Sequence, residues 1–296
     1  VLRDPVRCCV CQLCSVVFFF FFNDTATTEI YTLSLHDALP IYRQNLLSKL
    51  EQADTTIRCL ESSETLQFEN IYSSSDPNHR LQRILRFADP LTTRDLVDVS
   101  ADVFHLGPLA VGDIEPALFV DLATRGTVAL DVQGLLRLRR PGQVTLQMSP
   151  EIRKLVQHTD ILKADIEEAR LLTGCQTTRD MLTELQSWGP REILITAGSH
   201  GSSICSPEGM SEIPAYRPKN TVDSTGCGDT YLAGYVAARL RGLSPYSSAH
   251  IGAAAASHKL EYAGPLQASF DALSEQIKLE TDAVDPATTD PYREKV

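Results

Sequence analysis

Two glycines two residues apart, in Asp223-Ser224-Thr225-Gly226-Cys227-Gly228-Asp229, stand directly before the small, apolar-rich run Thr230 to Leu240. Glycines so spaced let the backbone turn sharply and let a ligand come close to it. The run behind them reads as a buried helix stopping at Arg241-Gly242, a cation followed by a terminator. A tight turn feeding a helix start leaves backbone N–H groups unpaired, and with the helix dipole they make a site for phosphate or another anion. Asp229 stands at the mouth of that site. A carboxylate there repels phosphate, so it asks for another role. Accepting the proton of a hydroxyl that attacks the phosphate is the natural one. The bland alternative is a structural helix start with Asp229 as an ordinary first-turn acid. Neither G-x-G-x-x-G nor G-x-x-x-x-G-K-[ST] occurs, which argues against a dinucleotide-binding dehydrogenase and a P-loop enzyme.

Upstream, the chain alternates strand and helix. Val103 to Leu106, Thr127 to Val132, Thr159 to Lys163 and Glu192 to Thr196 read as strands, and Ile114 to Thr124 as a helix. Such alternation predicts a mostly parallel sheet covered on both faces. Ligands of such sheets gather at the carboxyl ends of the strands, where the polar segments of this chain fall. Before this run, Thr55 to Leu60, Leu66 to Ser73 and Leu81 to Phe87 are β-rich and separated by turn-prone polar residues. Past the glycine turn, Ser247 to Leu260 reads as an alanine-rich helix and Thr281 to Val296 as a polar tail.

The first 41 residues stand apart. Asn23 to Ile41 resembles the conceptual translation of a common sequencing adapter, and Phe18 to Phe22 fits a poly-T tract. Residues 1–41 are therefore set aside as non-native, leaving a domain over 42–280 and a tail over 281–296. Val10 to Phe22 is too short for a membrane span. Cys11-x-x-Cys14 has no second pair or histidine nearby to complete a metal site. Cys59, Cys175, Cys205 and Cys227 are scattered singly, which suits reduced thiols in the cytoplasm. Removing the two basic and four acidic residues before Tyr42 from totals of 27 and 38 leaves 25 against 34, a net charge of −9. That balance disfavours a nucleic-acid or anionic-membrane surface.

The heptapeptide resembles the D-T-T-G-A-G-D signature of the ribokinase-like (PfkB) carbohydrate kinases, with Ser224 for Thr and Cys227 for Ala. The resemblance runs from about Tyr42 to Leu279. It implies a three-layer α/β/α fold with a mostly parallel central sheet and a small β lid over about 55–87. In the family the last Asp is the base and the Gly-x-Gly amides hold the transferring phosphoryl charge. Asp229 is then the base, and Gly226, Cys227 and Gly228 form the anion hole. Asp131-Val132-Gln133-Gly134 resembles the segment near the substrate pocket, implying substrate contacts from Asp131 and Gln133; a loop Asp capping the next element is the alternative. Asp165 to Glu168 resembles the N-x-x-E segment, with Asp165 for Asn, and implies that both acids steady magnesium through water. A plain capping pair is its rival. Thr196, Gly198 and Gly201 resemble the T-x-G-x-x-G turn that holds nucleotide, and Gly264 would border the adenine. Asp223 and Thr225 are implied as holders of a monovalent cation, potassium.

The function implied is ATP- and magnesium-dependent phosphorylation of a hydroxyl on a small sugar, polyol or nucleoside. A homodimer through the lid would fit the same resemblance. The family's opening strand, with its sugar-binding Asp and Gly-Gly motif, is not found, and the adapter-like segment stands in its place. The alternative is therefore a non-catalytic, nucleotide-binding protein of the same fold, or an inactive truncated kinase.

Overall fold

The computed structural model describes residues 7–9, 59–63, 67–72, 80–262 and 266–282. β1 (Arg7–Cys9) and β2 (Cys59–Glu61) pair antiparallel as a small sheet of their own. β3 (Gln67–Tyr72) and β4 (Arg80–Arg86) form an antiparallel pair extended on the β4 side by a two-residue strand further along the chain. Ile84 of β4 is fully buried with Ala88 and Ala110, while Leu85 is exposed: one face of this sheet is covered.

The central sheet begins with β5 (Val103–Leu106), followed by α1 (Pro116–Ala123), β6 (Thr127–Asp131) and the four-residue α2 (Gln133–Leu136). β7 (Gly142–Gln143) is the strand that joins β4. Next come α3 (Pro150–Val156), β8 (Ile161–Asp165), α4 (Ile166–Thr173), α5 (Thr178–Gln186), β9 (Glu192–Thr196), β10 (Ser202–Ser206) and β11 (Gly209–Ile213). Three helices end the described residues: α6 (Cys227–Leu240), α7 (Pro245–Leu260) and α8 (Phe270–Asp282). In space the six strands run β11-β10-β9-β8-β6-β5, with β9, β8, β6 and β5 mutually parallel and β10 antiparallel to both its neighbours.

The period of two along each strand divides the core between two helix layers. Phe104, Leu106, Val128, Leu130, Leu162, Ala164, Ile193 and Ile195 face one cluster with buried residues of α1, α3, α4 and α5. Val103, Ala129, Ile161 and Leu194 face a second cluster with α6, α7 and Leu273 of α8. The result is the three-layer α/β/α arrangement expected.

Differences from the expected boundaries have local causes. The strand predicted over Thr159 to Lys163 lies at Ile161–Asp165, because the Thr159 amide and hydroxyl both donate to the Val156 carbonyl in the turn after α3. The helix predicted from Ile114 starts at Pro116, whose missing N–H suits a first helical position. α7 starts before Ser247, at Pro245, because the Ser244 side chain caps it by accepting from the Ser247 amide. The small sheet expected over about 55–87 consists of β3, β4 and, from further along the chain, β7. Of the predicted strand Thr55 to Leu60, Cys59 and Leu60 belong instead to the pair with β1, and 55–58 lie outside the described residues. So do 18–41, Gly264 and the tail from 283 onward. Among the described residues no helix is long and apolar enough to cross a membrane.

Candidate active site

The α6 start has the geometry its glycines allow. Gly226 caps the helix at φ 79°, in the left-handed region where a side chain is strained. The first intrahelical bond runs from the Thr230 amide to the Gly226 carbonyl at 2.9 Å. First-turn amides have no upstream helical carbonyl, which leaves those of Gly228 and Asp229 directed out of the helix. The Cys227 amide donates to the Ser224 carbonyl at 3.3 Å, so it is the weakest member of the expected anion hole.

Strand register builds the wall opposite. Asp131 and Lys163 are partners across β6 and β8, and Asp165 and Thr196 across β8 and β9. Lys163 and Asp131, 3% and 4% exposed, form an ion pair at 2.7 Å. The other Asp131 oxygen accepts the Gln133 amide at 3.2 Å, so this aspartate both closes a local turn and holds a cation. A Cβ on Gly228 would lie 2.7 Å from the Lys163 Nζ. A side chain at the second glycine would therefore push the Lys163 ammonium from its place against the helix start.

Charge in this cluster is tightly balanced. Burial and the Asp131 carboxylate push Asp229 up to about 6, against the pull of Lys163 and Arg137. Burial pulls Lys163 down, but Asp131, Glu168 and Asp229 outweigh it and hold the ammonium charged. His105, fully buried on β5, is lowered to about 4 by burial, so it is neutral at neutral pH. A half-buried carboxylate ionising near 6, facing a fixed ammonium, is a proton acceptor matched to neutral pH.

Asp165 and Glu168 form a closed capping box: each carboxylate accepts the other's backbone amide at 2.8 Å. The capping reading therefore describes their contacts. Burial raises Glu168 to about 7 despite Lys163. Thr196 ends β9, and its hydroxyl donates to the Ala164 carbonyl at 3.5 Å. Gly198 (φ 55°) and Gly201 (φ 89°) shape the turn beyond it. At Gly201 a Cβ would strike the Ile213 carbonyl at 2.2 Å.

Asp223 is engaged from two sides. One oxygen accepts the Thr225 amide at 2.9 Å, and the other lies 3.6 Å from the Nζ of Lys259, a fully buried lysine on α7. The Thr225 amide and hydroxyl and Lys259 hold Asp223 below the usual carboxylate range, against the opposing effect of burial.

Sequence reasoning missed Lys163, Arg137, His105 and Lys259. The signal for Lys163 was present. A lysine in Ile161-Leu162-Lys163-Ala164, a strand read as covered on both faces, demands a buried counter-charge, and Asp131 ends the neighbouring strand.

Several known proteins are similar to this chain. A nucleoside kinase of Methanocaldococcus jannaschii is 33% identical over 128 residues, covering 42% of this chain and 40% of that protein. An inositol 3-kinase of Zea mays is 30% identical over 189 residues, covering 62% and 46%. A 2-dehydro-3-deoxygluconokinase of Escherichia coli is 29% identical over 147 residues, covering 49% and 47%. The chain spans about half the length, or less, of these curated relatives. Among solved structures, a pyrophosphate-dependent kinase of the ribokinase family superposes with a TM-score of 0.68 at 24% identity, covering 81% of this chain and 82% of that one. Ribokinase of Thermotoga maritima gives 0.61 at 18% identity, covering 80% and 77%. The family model for pfkB family carbohydrate kinases matches residues 46–271. The chain belongs to the pfkB family of carbohydrate kinases.

Proposed function

We propose that the chain transfers the terminal phosphoryl group of ATP to a hydroxyl of a small sugar, polyol or nucleoside. One observation carries this reading: Asp229, ionising near 6, stands on the first turn of α6 and faces the buried Lys163–Asp131 pair. Asp229 takes the acceptor's proton. The first-turn amides and Lys163 receive the charge of the phosphoryl group in flight, and positioning supplies most of the acceleration. Asp131 and Gln133 border the acceptor from the end of β6. Thr196 and the Gly198–Gly201 turn are assigned to the nucleotide; Gly264, assigned to the adenine by family resemblance, lies outside the described residues.

Magnesium would be held chiefly by the donor's phosphates and steadied from Glu168, because both acids of the capping box already hold backbone amides. When bound, it spreads the negative charge of those phosphates. Potassium at Asp223 and Thr225 fits poorly, since the Lys259 ammonium lies on that carboxylate. Single cysteines suit a reducing, cytoplasmic setting, and the lid sheet is the surface for a homodimer; nucleic acid and membrane are not partners in this reading.

A panel of sugars, polyols and nucleosides, with ATP and separately with pyrophosphate as donor, tests the proposal through ADP or phosphate release. Acceptor-dependent ADP release is expected. Tight nucleotide binding with no turnover on any acceptor would favour the non-catalytic alternative.

A further inference from the structure

Lys259, in the last turn of α7, is fully buried, and three oxygens surround its ammonium. Tyr262 O is 3.2 Å from Nζ, Asp223 O is 3.5 Å away and Asp223 Oδ2 3.6 Å. Two backbone carbonyls and one carboxylate are the hard oxygen donors a monovalent cation takes. A buried lysine left without them would be costly, and here the same donors serve it.

The packing of α6 on α7 sets this arrangement. A Cβ on Gly234 would lie 3.0 Å from the Ala255 Cβ and 3.2 Å from the Gly252 Cα, and one on Gly252 would lie 2.7 Å from the Tyr231 carbonyl. The two backbones approach closely enough to fix the height of Lys259 against the loop that enters α6. The Val222 amide, bonded to the Leu260 carbonyl at 2.7 Å, pins the same loop from the other side.

We propose that Lys259 is a built-in monovalent cation: its ammonium holds the Asp223–Gly226 loop in shape and makes an external potassium ion unnecessary. Lys259 is a positioning residue, since it acts through the loop that feeds the anion-binding turn. The consequence for turnover rests on the phosphotransfer reading; the cation site itself does not.

The test is thermal unfolding of the full chain and of Lys259→Met, each in potassium, ammonium and choline chloride at equal ionic strength. Methionine keeps the apolar stem and ends one atom short of Nζ. The unaltered chain is expected to melt at the same temperature in all three salts. Lys259→Met should melt on the order of a few °C lower in choline chloride, because it leaves the part-exposed Asp223 carboxylate and two backbone carbonyls without the cation they face. Potassium or ammonium should restore most of that loss. If the variant does not fold in choline chloride, refolding yield across the same salts gives the same comparison. Saturable stabilisation of the unaltered chain by potassium overturns the proposal, as does a variant that no small cation rescues. A chain inactive on every acceptor would still give this melting series, so failure of the kinase reading is seen separately.

Discussion

Asp131 and Lys163 meet twice: as register partners on adjacent parallel strands, and as a buried ion pair 2.7 Å long lying against Gly228. Breaking one side leaves a buried charge unpaired, which costs about 3–5 kcal/mol, whereas replacing both sides is far milder. Lys163→Met is therefore expected to destabilise more than the double variant Asp131→Leu with Lys163→Met. Urea unfolding of the three chains decides this. Equal losses in the single and double variants would mean that the pair is not the source.

Asp229→Asn should lower turnover by about 10²–10⁴-fold, with nucleotide affinity little changed. A loss below about tenfold would falsify its role as base. The pH profile gives a second check. An acid raised to about 6 is protonated, and inactive as a base, below that pH, so kcat/KM should rise with pH through about 6. Asp131 contributes to the upward shift, so Asp131→Asn should move this limb to lower pH.

Two glycines should answer alanine differently. At Gly134 a Cβ would sit 1.9 Å from the Pro108 carbonyl, a backbone atom that cannot move aside. Gly134→Ala should cost about 1–3 kcal/mol or more, read as a large fall in melting temperature. At Gly228 the clash is with the tip of Lys163, which can swing away. Gly228→Ala should hold its fold better and lose activity instead, because the ammonium leaves its place beside Asp229.

Glu168→Gln separates the two readings of the capping box. Glutamine keeps the cap, since either residue serves at that position. Glu168 is raised to about 7 in the folded chain from 4.5, so the unfolded chain releases its proton first, and stability falls as pH rises between those values. Glu168→Gln should flatten that slope, and it should be no less stable at pH 8. If magnesium dependence of turnover is also unchanged, Glu168 is a capping residue alone.

Deletion of residues 1–41 should cost little stability. Residues 7–9 of this segment pair with β2 through three residue pairs, and a stretch read as translated adapter would carry no selection for packing. Circular dichroism melts of the deleted and full chains give the answer. A deletion that unfolds the domain would mark the segment as native structure.

The layers and the helix behind the glycine turn were legible because each is written in a local period. Four parallel strands alternate two by two into the helix layers, and α6 follows the turn at Gly226. What stayed hidden depends on register, which the local pattern does not encode. β7 is two residues long and exists because β4 offers it an edge. Lys259 and Asp223 are 36 residues apart and meet through the crossing of α6 and α7. Residues Asp165 to Glu168 were read both ways, and their contacts are those of a cap.

The small β3-β4-β7 sheet is joined to the carboxyl end of β6 by a short stretch of chain. From Asp131 the chain passes through α2, turns out to β7 beneath β4, and returns, with Leu138 and Thr145 bonded across the excursion and Leu136 and Gln147 closing its base. Arg137, whose charge bears on Asp229, rides on that same arm. One piece of chain thereby carries both the strand that extends the small sheet and the guanidinium that tempers the upward shift of Asp229.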